Sequence, residues 1–397
     1  MHVSNRVTLV PSSPIRKLMP FAKAAEKKGL KVHYLNIGQP DIPTPPAFFE
    51  KIKTTSLSVL KYENSQGNAT LIQTIQAYFK RDQIDLEPEN IIITSGGSEA
   101  MRFALLTVGD PGDEILMAEP YYVSTGSLVK ESAQRLVAIP TTEANRFHLP
   151  GFEEMENYVT PRTKAIILTN PNNPTGTVYT REEIERVIAL AIKYDLFIIS
   201  DEVYRKLVFD NRPSISLGTY PEIENRLIIV DSVSKRYSSC GARIGCVISK
   251  NKEVMQSILK LAQARLSVST IDQIGAIALY ELEESYIAGT RDEYEKRRAT
   301  AYEVLKDSNL HFTLPEGAFY MIITLPVASS EEFAKWMLTD FSDNQETLLV
   351  APAGDFYANP EKGKNQIRLA FVCESNELKR SIALLCMGIE AYQNTHQ

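Results

Sequence analysis

The chain has 397 residues, 44% hydrophobic and 23% charged, with a formal net charge of −6. That length exceeds one ordinary core and predicts two domains in close contact, while the acidic balance argues against nucleic acid as the main partner, which needs a basic face. No apolar run reaches the ~18–20 residues of a membrane helix, the N-terminus lacks a basic segment followed by an apolar core, and four cysteines without CxxC spacing fit a reducing cytoplasm better than a disulfide framework or a zinc site.

Residues 1–46 are rich in proline, ending in PDIPTPP, and read as an irregular arm and an entry loop. From about residue 68 helix and strand alternate. NATLIQTIQAYFKRD has helical periodicity, and IIIT (91–94) is a short β-branched strand that runs into SGGSEAMRFALLTVG, a glycine turn followed by a helix. EILMA (114–118) and TKAIILT (163–169) are further strands. TREEIERVIALAIKYD opens with a capping box, in which Thr180 caps the helix and Glu183 reaches back. LFIIS (196–200), RLIIV (226–230) and IGCVIS (244–249) are buried-strand runs. This alternation predicts an α/β fold with a largely parallel sheet covered on both faces. Beyond about residue 285 the character changes: TRDEYEKRRATAYEVLKDS is a long charged helix, then come short strands and helices at 329–341 and 376–391. The expected division is an arm over 1–46 that shares the core of a small domain, a large domain over 47–285, and a small α+β domain over 286–397.

Open α/β sheets place ligands at the C-terminal ends of their strands, and this chain puts polar groups at several of them. SGGSEA (95–100) joins a strand to a helix start, where free amides and the helix dipole favour an anion. PNNPTG (171–176) holds Asn173 in a rigid turn. SDEVY (200–204) places Asp201 and Tyr204 after LFII, and DSVSK (231–235) places Lys235 just past LIIV. Asp201 alone reads equally well as a helix cap, and a lone lysine as a solvated surface group. The five histidines are scattered without metal-ligand spacing, so no metal is expected.

Taken together, SxSK followed by GxRxG (GARIG), with NPTG and DExY in that order, resembles the class I, fold-type-I aminotransferases that depend on pyridoxal phosphate. The likeness runs from about Leu35 to Phe371. It implies a large, mostly parallel sheet domain with a smaller α+β domain. It also implies a role for each matching residue. Lys235 takes the place of the lysine that bonds to the cofactor aldehyde, with its pKa lowered beside a cationic cofactor, and that then carries a proton at the substrate Cα. Asp201 faces the pyridine nitrogen, and Tyr204 and Asn173 hydrogen-bond the ring oxygen. Ser232, Ser234, Arg243 and the amides of Gly97, Ser98 and Glu99 hold the phosphate. Tyr122 stacks on the ring, with Tyr121 as the alternative one position away. Tyr62 reaches the phosphate of a neighbouring subunit, so a homodimer with shared sites is expected. Arg368, in QIRLAF, clamps the substrate α-carboxylate, and Gly38, in NIGQPD, lies beside it.

The chain also departs from the family pattern. Ala242 stands where many members have tryptophan, and Ser98 where some aspartate-using members have lysine. Arg265 and Arg16 are candidates to receive an acidic substrate side chain. The tyrosines and Phe21, Phe319 and Phe356 are candidates for an apolar pocket instead, with core packing an equal reading of Phe319. The resemblance favours transfer from L-aspartate, or an aromatic amino acid, to 2-oxoglutarate. A pyridoxal-phosphate C–S β-lyase is the second reading, since both reactions pass through the same Cα carbanion. A cofactor-sensing regulator is discounted because the region before Leu35 is short and not strongly basic. A Rossmann dehydrogenase is discounted because no GxGxxG follows a strand.

Overall fold

The computed structural model describes residues 1–396 apart from Leu9, Ser12, Pro14 and Ile15. Its centre is a seven-stranded sheet: β1 (Ile91–Thr94), β2 (Glu114–Glu119), β3 (Arg135–Pro140), β4 (Thr163–Thr169), β5 (Phe197–Asp201), β6 (Leu227–Ser232) and β7 (Gly245–Ile248). The strands lie in the order β1-β7-β6-β5-β4-β2-β3. Neighbours are parallel except around β7, which runs antiparallel to both β1 and β6. The sheet is therefore mixed, and β7 is the strand that departs from the expected parallel pattern.

Successive residues of these strands feed opposite cores, as a period of two requires. Ile198 and Ile229 join one apolar cluster with Ile75, Tyr78, Phe79 and Tyr280. Ile199, Ile228 and Val230 join another with Met101, Leu105, Ile258 and Ala262. The helices Ala69–Lys80, Arg181–Lys193 and Thr270–Tyr280 contribute to the first, and Gly97–Val108 and Lys252–Arg265 to the second. The capping box forms as expected: Thr180 Oγ1 accepts from the Glu183 amide at 3.2 Å, and Glu183 Oε2 accepts from the Thr180 amide at 2.7 Å.

A third cluster joins Leu18, Ala22 and Leu35 to Phe319, Met321, Leu348, Ile367 and Leu385. It packs beside an antiparallel sheet in the order Ala351–Pro352, Gln366–Ala370, Tyr320–Thr324, His311–Phe312. The N-terminal segment is more regular than its prolines imply. It contains the helix Met19–Lys27, with a proline in its first turn, and the strand Lys31–Tyr34, which pairs in parallel with Glu346–Leu349. Proline lacks only a donor that the first helical turn leaves unpaired, so there it starts a helix rather than breaking one.

Because β7 reverses direction between β1 and β6, the C-terminal ends of β1, β4, β5 and β6 share one edge. The Ser95–Gly96–Gly97 turn, Asn173, Asp201 and the 232–235 stretch all leave from it.

Candidate active site

That edge opens into a cavity of about 700 Å³ walled by residues of both the sheet and the smaller lobe, including Gly38, Gly97, Ser98, Tyr122, Lys235 and Arg368. One end is an anion cradle. Gly97 and Ser98 begin a twelve-residue helix, so their amides have no intrahelical partner. Gly96 has φ +77° and lies against Arg243: a Cβ there would meet the guanidinium at 2.4 Å. Arg243 is itself left-handed (φ 53°) and donates to the carbonyls of Cys240 at 3.0 Å and Ser95 at 3.4 Å. Ser232 and Ser234 are buried, and the Ser232 hydroxyl donates to that of Ser234 at 2.7 Å. The set combines amides, hydroxyls and a guanidinium, as phosphate recognition requires.

Asp201 closes β5. Burial pushes its carboxyl up to about 7; the Val203 amide opposes this, Asp231 and Glu202 add to it, and Lys235 opposes it. A cationic partner in the cavity would reverse that shift.

Lys235 is half-buried and its Nζ donates to the Gly38 carbonyl at 2.9 Å. The Cys240 sulfur lies 3.9 Å from the same nitrogen. Burial works to lower this lysine's pKa, but Tyr320, Cys240 and Tyr122 outweigh it, with Arg368 opposing them, so the net direction is upward. The lowering expected from the sequence requires a neighbouring cation, and the protein's own groups do not supply enough of one.

Arg368 is 1% exposed. It donates to Asn173 Oδ1 at 3.1 Å and to the Asn36 carbonyl at 2.7 Å, and lies 4.4 Å above the Tyr320 ring. Its Nε is a buried donor with no hydrogen-bond partner among the described residues. A buried cation with an unspent donor beside a cavity is a natural carboxylate receptor.

Among the wall residues that sequence reasoning missed, Tyr320 and Cys240 make specific contacts with the site. Tyr320 places its hydroxyl 2.9 Å from that of Tyr204, and its ring passes so close to Gly38 that a Cβ there would lie 1.8 Å from the Tyr320 oxygen. Cys240 donates to the Ser234 carbonyl at 3.0 Å. The only available signal was position: Tyr320 follows GAF in a strand run, and Cys240 sits inside the SxSK to GxRxG interval.

The remaining sequence-derived candidates separate cleanly. Tyr122 and Arg16 are in the cavity wall, whereas Tyr121 is buried with its amide on the Phe356 carbonyl at 2.8 Å. Glu99 and Arg265 are not in the wall of this chain's cavity. The Glu99 carboxylate accepts from the Ser95 amide at 2.7 Å and faces Arg265 at 3.6 Å, and Arg265 donates to the Ile93 carbonyl at 3.1 Å. Tyr62 is 83% exposed on a loop. Phe319 and Phe356 are corrected from pocket residues to core residues: both are fully buried, Phe319 against Tyr204 and Tyr294, and Phe356 beneath Arg368. Phe21 lies beneath the Lys335 ammonium rather than in the wall.

A family model described as aminotransferase class I and II matches residues 31–384. The chain belongs to this family. An aspartate aminotransferase from Thermotoga maritima is 33% identical over 322 residues, 80% of this chain and 84% of that one. Aromatic-amino-acid aminotransferase 2 from Thermococcus litoralis is 30% identical over 390 residues, covering 96% of this chain and 97% of its own. A solved structure of an aspartate aminotransferase from Thermotoga maritima superposes with a TM-score of 0.88 at 29% identity, covering 99% of this chain and all of the other. This protein is thus a class I aminotransferase with the fold-type-I architecture, and transfer prevails over the lyase and regulator readings. The family implies pyridoxal phosphate, and the donor set fits it: an anion cradle, a carboxylate at a buried strand end, an amine and a buried guanidinium line one cavity. Among the described residues no helix is long and apolar enough to cross a membrane, and no group of acidic, histidine or cysteine side chains is arranged to hold a metal ion.

Proposed function

We propose that this aminotransferase holds pyridoxal phosphate in the cavity at the sheet edge and moves the amino group of L-aspartate to 2-oxoglutarate, in the cytoplasm, as a homodimer. The observation that carries this reading is the convergence of Lys235, Asp201 and Arg368 with the 97–98 amides on one cavity. When bound, the cofactor supplies an aldehyde for amino-group exchange and a ring that accepts electron density from the substrate Cα.

The residues divide the work. Gly97, Ser98, Ser232, Ser234 and Arg243 bind the phosphate and set the position of everything beyond it. Asp201 is the carboxylate that would stabilise a proton on the ring nitrogen by opposite charge. Tyr204 and Asn173 are the groups that would hydrogen-bond the ring oxygen, and Tyr122 the one that would wall the ring face. Lys235 is the amine that would hold the cofactor's aldehyde end, and its free amine would move a proton at the substrate Cα as general base and acid. Gly38 leaves room for Tyr320, and its carbonyl holds the Lys235 ammonium in reach of the site. Arg368 grips the α-carboxylate with two parallel donors, which orients the Cα–H bond.

Relatives named for aspartate outnumber those named for aromatic substrates among the most similar proteins, which supports an acidic donor. Among the described residues of the cavity wall, Arg16 is the cation not engaged by these roles, and we assign it to the second carboxylate. Tyr62 and Arg265 lie off this chain's cavity, so any contribution from them comes across a subunit boundary, whereas the Glu99 amide belongs to the same first helical turn as those of Gly97 and Ser98. A coupled assay of oxaloacetate formation from aspartate and 2-oxoglutarate tests the reading. Arg16→Gln should raise KM for aspartate by about tenfold while leaving KM for alanine unchanged. Equal effects on both donors remove Arg16 from the assignment, and no oxaloacetate from wild type removes aspartate.

A further inference from the structure

One buried ion pair lies beneath the site and outside the cavity wall. Asp231 is the penultimate residue of β6 and Arg236 follows Lys235, and both side chains are about 1% exposed. The Arg236 guanidinium grips the Asp231 carboxylate with two bonds of 2.6 Å each. The same carboxylate accepts from the Ser232 amide at 2.7 Å. Asp231 is therefore bonded to the first and last members of the stretch Ser232–Arg236. That stretch contains the two hydroxyls of the anion cradle and the amine. Arg236 points away from the cavity into a box of aromatic rings, 4.8 Å from Tyr78, 5.1 Å from Tyr237 and 5.5 Å from Tyr280. Tyr78 and Tyr280 belong to the helices Ala69–Lys80 and Thr270–Tyr280, so the pair ties the stretch to the body of the sheet's far face.

We propose that Asp231 and Arg236 form a positioning clamp that fixes the distance and orientation between the phosphate donors Ser232 and Ser234 and the amine of Lys235. The claim rests on the roles assigned to those residues above. A buried ion pair is weak evidence for stability, since apolar residues of similar volume often replace one without loss. What the two-pronged contact adds is geometry, and here the geometry spans the two ends of one small molecule. Asp231 also faces Asp201 electrostatically, so the guanidinium keeps a second uncompensated anion from the ring-nitrogen end.

The test follows the visible band of bound pyridoxal phosphate in the holoenzyme. It compares wild type with Lys235→Ala, Arg236→Lys, Arg236→Met and the combination Asp231→Asn with Arg236→Met, recording cofactor release, the pH midpoint of the band and Tm. Lys235→Ala should lack the lysine-dependent band; if it keeps that band, the underlying assignment fails, whatever the clamp does. Arg236→Met and the combined variant should release cofactor about tenfold faster or more, with the band midpoint moved by about half a unit or more. Arg236→Lys, which keeps the charge but not the two-pronged contact, should recover part of the midpoint shift and little of the release rate. The combined variant buries no unpaired charge and should fold even where Arg236→Met does not. Wild-type release and midpoint in the combined variant, with only Tm altered, would overturn the clamp and leave the pair a structural one.

Discussion

Asp201 lies at the end of a buried strand with its carboxyl pushed up to about 7, chiefly by burial. Between pH 3.8 and 7 the folded, cofactor-free protein keeps a proton that the unfolded chain has lost. Stability therefore falls as pH rises through that window, by up to ~4 kcal/mol from this group. Asp201→Asn should accordingly raise the Tm of the cofactor-free protein at pH 8 and leave it unchanged near pH 3, while weakening cofactor binding. A denaturation series across pH checks the sign. Lys235→Ala should fold and lose at least about 10²-fold in kcat. Arg368→Ala removes a buried cation from its partners and should lower kcat/KM by about 10²-fold or more, mainly through KM for every amino acid tried. Lys235, Asp201 and Asn173 were legible as cavity residues because each stands in a short motif at or just past a strand end, and Arg368, in mid-strand, because QIRLAF matches the family pattern. Tyr320 and Arg236 were not, since their roles come from what lies across the fold. Tyr320 matters through Tyr204, 116 positions away, and Arg236 through aromatic rings on two distant helices.

The helix Arg181–Lys193 was legible from its capping box, and the structure gives that box a second use. Glu183 also accepts from the Leu149 amide at 2.6 Å and lies 2.9 Å from His148, whose other nitrogen lies 3.6 Å from Glu316. Glu316 in turn meets Arg212 at 2.8 Å, Arg146 at 3.1 Å and the Val178 amide at 3.1 Å, just beyond the NPTG turn. The hydrogen bond to Glu183 leads in raising His148 to about 9, followed by that to Glu316 and opposed by burial. A raised folded pKa stabilises fully below about pH 6.5 and is lost as pH climbs through 9. The stability difference between wild type and His148→Gln should therefore be about 2 kcal/mol at pH 6, after discounting for partial exposure, and vanish by pH 10. A difference that does not change with pH contradicts the charged bridge. The helices that escaped detection did so for physical reasons. Thr270–Tyr280 buries every residue from Gln273 to Tyr280, so it shows no polar stripe to set a period. Met19–Lys27 carries in its first turn a proline that reads as a breaker until the strand Lys31–Tyr34 gives the segment a neighbour.

At the scale of the whole molecule, the alternation of strand and helix was enough for the α/β class, because buried parallel strands need helices on both faces. It could not show that β7 reverses, since a short apolar run carries no direction. Nor could it show subunit contacts. Phe49, Leu57, Val59, Leu60, Tyr62 and Leu266 are all at least 45% exposed in the single chain, a large apolar display for an isolated monomer. The proposed homodimer predicts sedimentation at twice the 44.5 kDa chain mass, and a stable monomer with full activity would remove the cross-subunit roles of Tyr62 and Arg265. The most direct test of the central claim is to mix the purified holoenzyme with a panel of L-amino acids, without oxo acid, and follow the visible spectrum. Conversion of the bound cofactor to its amine form, fastest with aspartate or glutamate, is the predicted result. A protein that binds pyridoxal phosphate through Lys235 but is converted by no amino acid in the panel would contradict it.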